Sequence, residues 1–550
     1  MLTCTALVIP MVLFATAFLV RAAVGASFPG PAYPDSYYYV HVAEQLAAGH
    51  GLTSQYIWNF VDVGGQLPAV PTLPIPSNGH WMPLAAFVQV PFIMLFGNGA
   101  LAEMLPFWIV GAAAAPITWW MGRDAGFDAR PSFAAAVMVA APAGLTPFLS
   151  QPDNFGLFMT LGVLSLWLCA RGARGDRRAF ALGGLVVGLA MLARSDGVLL
   201  GLPFALVLLR ALVTGRERRA TLIAAAACAA LFAVVMTPWL LRQIDVFGTI
   251  APSAANGRIL WIKNYAELYS IGSAATPQTL FADGPGAFIG TRVSGLLSAL
   301  GLFALLALAA VLAPLALAGA WVRRRDPTFA PFFVYAFALF AASALLFAVH
   351  VPKGTFIHSA VALLPHTFLL VTTGVGTLVA WVARHRATWD APRATRLFTS
   401  AAVAVALMGA ALQTITTVGH WRSARETQVE LAAGLSDVPK SDRIMSADAG
   451  AYYYLTGHPG IVTPNDPLPV VESAMRAYDV RWLILERDAI VPALAPVLSG
   501  EVRPAWLSAP VAIVSGSSRS IASTTPMDQT VADGAVYAVC LSPADARCAQ

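Results

Sequence analysis

Residues 220–241 read ATLIAAAACAALFAVVMTPWLL, a run without one charged side chain. A helix rises about 1.5 Å per residue, so this run is long enough to cross a hydrocarbon layer of ~30 Å. Comparable runs occur at Leu2–Val20, Val293–Val322 and Leu397–Val418. The 550-residue chain is 57% hydrophobic and 11% charged, whereas a soluble protein carries roughly a quarter charged residues. The sequence therefore predicts a polytopic α-helical membrane protein.

The apolar runs predict about eleven spanning helices. A shorter run at 82–97 begins Met82-Pro83-Leu84 and ends in a Gly-Asn-Gly turn, so we expect it to lie in the membrane interface. Small residues at 23–26 resemble a signal-peptidase site, but Met1–Thr5 carries no Lys or Arg, which favours an uncleaved first span. The predicted spans are 2–20, 103–121, 131–148, 155–171, 179–193, 197–214, 220–241, 296–322, 329–350, 359–383 and 397–418.

Basic residues concentrate in alternate connections, which we expect to be cytoplasmic. Residues 22–102 then form a first extracytoplasmic loop with juxtamembrane helices, and 242–295 form a large outer loop. The predicted location is the cell (inner or plasma) membrane, with a cytoplasmic amino terminus. The net charge of +5 is explained by the basic residues that fix the orientation of the protein in the membrane, so no nucleic-acid partner is predicted. The basic residues are Arg123 and Arg130; Arg171, Arg174, Arg177 and Arg178; Arg216, Arg218 and Arg219; Arg323, Arg324 and Arg325; and Arg384, Arg386, Arg393 and Arg396.

The composition changes near residue 419, and residues 419–550 are predicted to form a small extracytoplasmic α/β domain. They contain no Gly-rich phosphate loop, Walker motif or zinc spacing. Of the five cysteines, Cys4, Cys169 and Cys228 lie in apolar runs, whereas Cys540 and Cys548 could pair outside the cytoplasm or serve as metal ligands or free thiols. The predicted strands are 443–446, 460–463, 480–485, 510–514 and 535–540, with a helix near 470–477.

Three polar segments are predicted to share the outer face. Pro34-Asp35-Ser36-Tyr37-Tyr38-Tyr39 follows the first span, Gln151-Pro152-Asp153-Asn154 separates two spans, and Arg194-Ser195-Asp196 separates two more. Each has a simple structural explanation: a capped amphipathic helix with headgroup tyrosines, a helix cap, and an ion pair that closes a hairpin. Charges at membrane depth are costly and tend to mark functional pathways, so three on one side favour a shared polar cavity.

Cations stand in three further outward segments. Arg242 ends a span, Arg258 lies in the loop beyond it, and Pro352-Lys353-Gly354 leads to His358. Each could snorkel at the interface, which is common for Lys and Arg. Together they could also hold a phosphate next to the bilayer, with Arg242, Arg258 and Lys353 as the candidates.

The chain resembles the GT-C superfamily of membrane glycosyltransferases over roughly residues 1–420. Asp35-Ser36-Tyr37-Tyr38-Tyr39 with Gly49-His50-Gly51-Leu52 is similar to the first outer loop of these enzymes. Gly79-His80-Trp81-Met82-Pro83-Leu84 looks like the juxtamembrane helix of bacterial protein-mannosyltransferase-like and aminoarabinose-transferase-like members. Asp153-Asn154 matches their second acidic motif. The turn 192–197 and the segment 238–248 are also similar, and the order of these motifs carries the resemblance.

The resemblance implies a polyprenyl-phosphate-linked sugar donor and a catalytic base at Asp35. An acceptor hydroxyl is a weak nucleophile until a carboxylate takes its proton, and direct displacement with one base inverts the anomeric centre. Asp153 is a supporting catalytic carboxylate. No cofactor is assigned, and Asp35 and Asp153 are the candidate ligands if Mg²⁺ or Mn²⁺ binds. The predicted substrate-binding residues are Tyr38, Tyr39, His80, Asn154, Arg194, Asp196, Arg242, Arg258, Lys353 and His358.

Two alternatives remain at this stage: a transporter or flippase of lipid-linked or polar substrates, and an inactive relative of the enzymes. Internal repeats are common in transporters, and the sequence shows none. Residues 445–452 lack the Trp-Trp-Asp type motif of oligosaccharyltransferases, which argues against N-linked transfer. The sugar and the extracytoplasmic acceptor, whether glycan, lipid or protein, are not specified by the sequence.

Overall fold

The computed structural model describes residues 4–215, 217–386, 388–515 and 532–541. These residues form helices through most of the chain and short strands near residues 53–76 and after residue 443. The helices are α1 (Cys4–Ser27), α2 (Pro34–Ala47), α3 (Leu84–Phe96), α4 (Ala100–Ala112), α5 (Ala114–Asp124), α6 (Ala129–Ala140), α7 (Asn154–Ala173), α8 (Arg177–Ala193), α9 (Leu202–Thr214), α10 (Arg218–Phe247), α11 (Asn256–Ile259), α12 (Pro277–Phe281), α13 (Gly284–Leu302), α14 (Ala313–Arg323), α15 (Ala330–Leu345), α16 (Thr355–Ala360), α17 (Leu364–His385), α18 (Ala391–Ala433), α19 (Ala449–Thr456), α20 (Leu468–Ala477) and α21 (Ala495–Leu498).

The strands are β1 (Thr53–Ser54), β2 (Tyr56–Ile57), β3 (Ile75–Pro76), β4 (Arg443–Ser446), β5 (Gly460–Val462), β6 (Val480–Glu486), β7 (Leu507–Val514) and β8 (Gly534–Val539).

The chain divides into two compact units. We call them the helical unit (Met1–Gly30, Trp81–Pro252 and Pro285–Val418) and the sheet unit (Pro31–His80, Ser253–Gly284 and Gly419–Gln550). The sheet unit therefore includes parts of both predicted outer loops as well as the predicted carboxy-terminal domain.

Eight helices within the described ranges are long and apolar enough to cross a membrane, so the chain is a multi-pass membrane protein. The remaining predicted spans correspond to α6, α8 and α15, which have 12, 17 and 16 residues. The count of about eleven is therefore not reached by length alone. The eight are Leu7–Ser27, Ala100–Asp124, Asn154–Ala173, Ser195–Thr214, Arg218–Phe247, Gly284–Ala307, Thr355–His385 and Ala391–Ala433.

The predicted span 296–322 is interrupted. Helix α13 begins at Gly284, inside the predicted outer loop 242–295, and α14 follows only at Ala313. Between them Ala309 and Ala310 have φ values of 47° and 56°, a left-handed conformation that L residues with a side chain seldom adopt. An unbroken apolar sequence does not reveal such a break, because all its residues favour a helix or a core equally.

Helix α14 packs antiparallel against α17 at very short range. A Cβ atom added to Gly319 would overlap the backbone of Leu370, and one added to Gly374 would overlap the backbone of Leu315. The two glycines therefore allow the helix axes to approach closely, as small residues do in membrane interiors. Helix α3, at 13 residues, is short for a span, and its place in the interface stays a prediction.

The sheet unit contains a six-stranded sheet in the order β2-β5-β4-β6-β8-β7. Strands β2, β5, β4 and β6 run parallel, and β6, β8 and β7 run antiparallel. The predicted α/β fold of the carboxy-terminal region is confirmed, with strand bounds within three residues of the predicted ones. The edge strand β2 was not predicted, since it comes from the first loop and pairs Tyr56 with Gly460. Ile57, Phe60 and Ile75 enter the same core as Met445 and Leu483.

Candidate active-site residues

Asp153 and His358 contact each other in the helical unit. The Asp153 side chain is fully buried, and its Oδ2 lies 3.1 Å from Nε2 of His358. Asp153 also caps α7 by accepting a hydrogen bond from the amide of Asn154. Phe155 stacks on the His358 ring with 3.8 Å between ring centroids. Capping, which the sequence suggested for Asp153, therefore accounts for one carboxylate oxygen and leaves the other against the imidazole.

The second nitrogen of His358 defines what this pair can do. Nδ1 lies 2.8 Å from the carbonyl oxygen of Gly354, and a carbonyl oxygen only accepts, so Nδ1 carries a hydrogen. In a neutral imidazole the lone pair of Nε2 would then face the Asp153 carboxylate. Two acceptors at that distance repel each other unless a proton or a cation lies between them. A histidine whose Nδ1 donates to a backbone carbonyl, while its Nε2 lies next to a carboxylate, is suited to binding a divalent cation between Nε2 and the carboxylate.

Arg194 and Asp196 are joined to the same helix, α16. Arg194 Nε lies 3.1 Å from Asp196 Oδ1 and donates to Ser359 Oγ at 2.8 Å, while its Nη2 donates to the carbonyl of Thr355 at 3.1 Å. Ser359 in turn donates to Asp196 Oδ2. The ion pair therefore does more than close a hairpin, because it holds the helix that carries His358. Ser359 was not predicted, since a single serine after a histidine gives no sequence signal.

Lys353 and Arg242 occupy different surroundings in the helical unit. Lys353 is exposed and directly precedes Gly354, which has a φ of 101° and leads into α16. Arg242 lies on α10, with its guanidinium 5.1 Å and 5.5 Å from the ring centroids of Trp239 and Phe247. The lysine thus lies in the same short segment as His358, whereas the arginine is held between two aromatic rings.

Asp35 lies in the first turn of α2 in the sheet unit, after Pro34. Its charge is felt by two tyrosines of the segment Tyr265–Tyr269. Burial first, and then the negative charge of Asp35, raises the pKa of Tyr265 to about 12. Burial, Tyr265 and Asp35 raise the pKa of Tyr269 well above its usual value. Asp35 is only partly buried, and the two phenols that its charge affects stay neutral at physiological pH. These tyrosines were not among the predicted site residues.

The other predicted residues of the first loop have packing roles. Tyr38 and Tyr39 are buried, and the Tyr38 hydroxyl accepts a hydrogen bond from the amide of Asn78 at 2.5 Å. The ring of His80 lies edge-on to Trp58 with 5.2 Å between centroids. Tyr38 and Tyr39 therefore belong to the core of the sheet unit.

Arg258 holds its own loop together. Its Nη1 donates to the carbonyl of Gly65 at 2.9 Å, and its Nη2 donates to that of Ser273 at 2.6 Å. A side chain on Gly65 would overlap the guanidinium. These contacts engage both terminal nitrogens of the guanidinium, so the arginine is better suited to fixing the loop than to binding a donor.

A partly buried polar cluster in the sheet unit was not predicted from the sequence. Arg425 donates to the Tyr37 hydroxyl at 2.8 Å and to the carbonyl of Pro31. Asp448 caps α19 by accepting from the amide of Ala451 at 3.1 Å. Burial raises the pKa of Asp448 to about 6, an effect that its cap and Arg425 oppose. These residues are far apart in sequence, and only Tyr37 belongs to one of the motifs described above.

The cluster predicts that the sheet unit loses stability as the pH rises. Burial raises the pKa of Glu486 to about 7, and the charge of Asp448 adds to the effect. The folded state therefore keeps these protons where the unfolded state has lost them, so the stabilisation is present in acid and is lost as pH rises through 6 and 7. We expect the unfolding midpoint to fall between pH 5 and pH 8, and Glu486→Gln to flatten that fall. The exposed Glu501→Gln is the control. Equal slopes in wild type and Glu486→Gln would contradict the assignment.

Cys540 is disulfide-bonded, whereas Cys548 lies outside the described residues. Cys169 and Cys228 are free.

Known proteins share this architecture. The family model described as dolichyl-phosphate-mannose-protein mannosyltransferase matches residues 77–241, less than a third of the chain. The crystal structure of ArnT from Cupriavidus metallidurans bound to undecaprenyl phosphate superposes with a TM-score of 0.53 at 15% identity, covering 97% of this chain and 98% of ArnT. The chain has the fold of the GT-C superfamily.

A second GT-C structure is similar over a smaller share of its length. The Archaeoglobus fulgidus oligosaccharyltransferase, in complex with Zn and sulfate, superposes with a TM-score of 0.53 at 13% identity, covering 86% of this chain and 68% of that one. No curated protein shows significant sequence similarity to the chain. The GT-C resemblance predicted from short motifs is thus confirmed at the level of the fold.

Proposed function

We propose that this protein transfers a sugar from a polyprenyl-phosphate-linked donor to an extracytoplasmic acceptor. The observation that carries the proposal is the contact between Asp153 and His358, held by the Arg194–Asp196 pair, within a GT-C fold. Structures of that fold include ArnT bound to undecaprenyl phosphate. A lipid-phosphate donor fits a chain whose candidate polar residues stand at the ends of membrane helices.

In this proposal Asp35 is the catalytic base. Its carboxylate takes the proton from the acceptor hydroxyl while the hydroxyl oxygen forms a bond to the anomeric carbon. The bond from that carbon to the phosphate oxygen breaks, and the lipid phosphate leaves with the electron pair. One displacement with one base inverts the anomeric centre, because retention by double displacement needs a second, nucleophilic carboxylate.

The charge on the departing phosphate needs cations. Lys353 fits this role best among the predicted cations, since it is exposed and stands directly before the helix that carries His358. Asp153 and His358 would hold a divalent cation, which would supply positive charge toward a phosphate oxygen when bound. A carboxylate with one histidine suits Mn²⁺ well and Mg²⁺ less well.

The assay for the activity uses the purified protein in lipid nanodiscs with radiolabelled polyprenyl-phosphate hexose and cell-envelope acceptors. Transfer of label to an acceptor supports the proposal. In a parallel liposome experiment, movement of the lipid-linked sugar across the bilayer without transfer would overturn it in favour of a flippase.

We expect His358→Phe to lower the transfer rate roughly 10–100-fold. Phenylalanine keeps the ring stacked on Phe155 and loses both nitrogen contacts. Asp153→Asn should have a similar effect, since asparagine still caps α7 but carries no charge. The measurement is kcat and KM for transfer.

His385→Phe is the matched control. That histidine also bonds the carbonyl four residues before it, that of Trp381 at 2.8 Å, but it is exposed at the end of α17. If the two histidine variants lose the same activity, the loss reflects helix stability and the role of His358 is refuted.

A further inference from the structure

An apolar cavity of about 300 Å³ lies in the helical unit between α17, the first turns of α18 and the segment before α14. Leu312, Val379 and Phe398 are among its lining residues. Cavities that bind small molecules start at roughly this volume. The cavity is thus large enough for part of one hydrocarbon chain.

The cavity follows from how the surrounding helices end. Helices α14 and α17 are in backbone contact at Gly374 and Leu315. Beyond Gly374, valines of α17 line the cavity, and the left-handed turn at Ala309 and Ala310 directly precedes the lining residues next to α14. No described side chain fills this space.

Trp389 closes one side of the cavity with its indole ring. The ring stacks on Phe398, with 6.5 Å between centroids and 14° between the ring planes. The indole Nε1 is itself buried, so the tryptophan presents apolar ring surface to the cavity. The lining therefore suits a hydrocarbon chain.

The chain next to this cavity is strongly basic. Arg384 and Arg386 stand at the end of α17, and Arg393 and Arg396 stand in the first turns of α18, all four exposed. The one acidic residue among residues 384–396 is Asp390, whose Oδ1 accepts from the amide of Arg393. Basic clusters at the ends of membrane helices attract anionic lipid headgroups.

We propose that this cavity binds an acyl chain of an anionic phospholipid, with its phosphate held by the adjacent arginines. The site is separate from the proposed catalytic residues of the helical unit. Helix α17 begins at Leu364, shortly after the helix that carries His358, and Val379 and Val382 lie roughly 25 Å further along it. The lipid is a bound structural partner that takes no part in sugar transfer.

The test is native mass spectrometry of the full-length protein with added phosphatidylglycerol, phosphatidylcholine of the same acyl chains, or polyprenyl phosphate. We expect phosphatidylglycerol to be retained roughly ten-fold better than phosphatidylcholine, and the double variant Arg386→Gln/Arg393→Gln to lose most of this preference.

Ala401→Phe places a ring in the cavity and should abolish retention. Ala404→Phe, on the same helix at an exposed position outside the lining, is its control. Equal retention of the two phospholipids, or retention that survives Ala401→Phe, would overturn the proposal. Displacement of phosphatidylglycerol by polyprenyl phosphate at equal concentration would overturn it as well, since it would assign the cavity to the donor tail.

Discussion

Asp35→Asn is expected to lower the rate of sugar transfer roughly 10²–10⁴-fold, the usual contribution of a general base. Asparagine has nearly the same shape but cannot take a proton from the acceptor. The structural cost should be small, because an acidic residue in a first helical turn contributes only about 0.3–1 kcal/mol through the helix dipole. The measurement is the initial rate of transfer at saturating donor, with the fraction of folded protein determined on the same sample.

Glu44→Gln is the matched control for Asp35→Asn. Glu44 is also partly buried and lies on the same helix, α2, so its replacement removes one carboxylate from that helix without touching the proposed base. Undiminished transfer by Asp35→Asn would remove Asp35 from its role. If Glu44→Gln lost as much activity as Asp35→Asn, the effect would belong to the charge of the helix and not to proton transfer.

Gly374→Ala is expected to destabilise the helical unit by roughly 3 kcal/mol, the upper range for overpacking. The new methyl group would overlap the carbonyl oxygen of Leu315, and α14 cannot yield without losing its contact at Gly319. This strain opposes the gain of about 1 kcal/mol that alanine normally brings to a helix. The measurement is the midpoint of thermal unfolding in detergent, together with the yield of monodisperse protein.

Gly376→Ala tests the same substitution without the contact. Gly376 lies two residues further along α17, and a Cβ atom there would meet no atom within 4 Å. Alanine should therefore be neutral or slightly stabilising at this position. A stable Gly374→Ala protein would show that α14 and α17 do not depend on close backbone packing.

Much of the fold could be predicted because its physical causes are local. Apolar runs longer than a bilayer is thick predict helices wherever they occur, and alternating short runs after residue 443 predicted β4, β5 and β6 closely. The left-handed turn at Ala309 and Ala310 could not be predicted, since alanine normally favours a helix. The membership of β2 in the large sheet could not be predicted either, because a strand of two residues carries no periodicity.

The candidate site shows the same division. Asp153, Arg194, Asp196 and His358 could be singled out because charged or polar residues near membrane depth are costly, and the structure brings them together around α16. The burial of Tyr38 and Tyr39 could not be predicted, since a run of tyrosines looks alike whether it faces lipid, substrate or a core. Nothing local in the sequence distinguishes a tyrosine that faces Asp35 from any other tyrosine in a loop.

The parallel pairing of β2 with β5 also constrains biosynthesis. About 400 residues separate Ile57 from its partner Ile461, and a ribosome adds about 5–20 residues per second. The nascent segment must therefore wait roughly 20–80 s before its hydrogen-bonding edge is covered. Any chain released before residue 460 leaves that edge open, which makes early termination products candidates for aggregation or for capture by a chaperone.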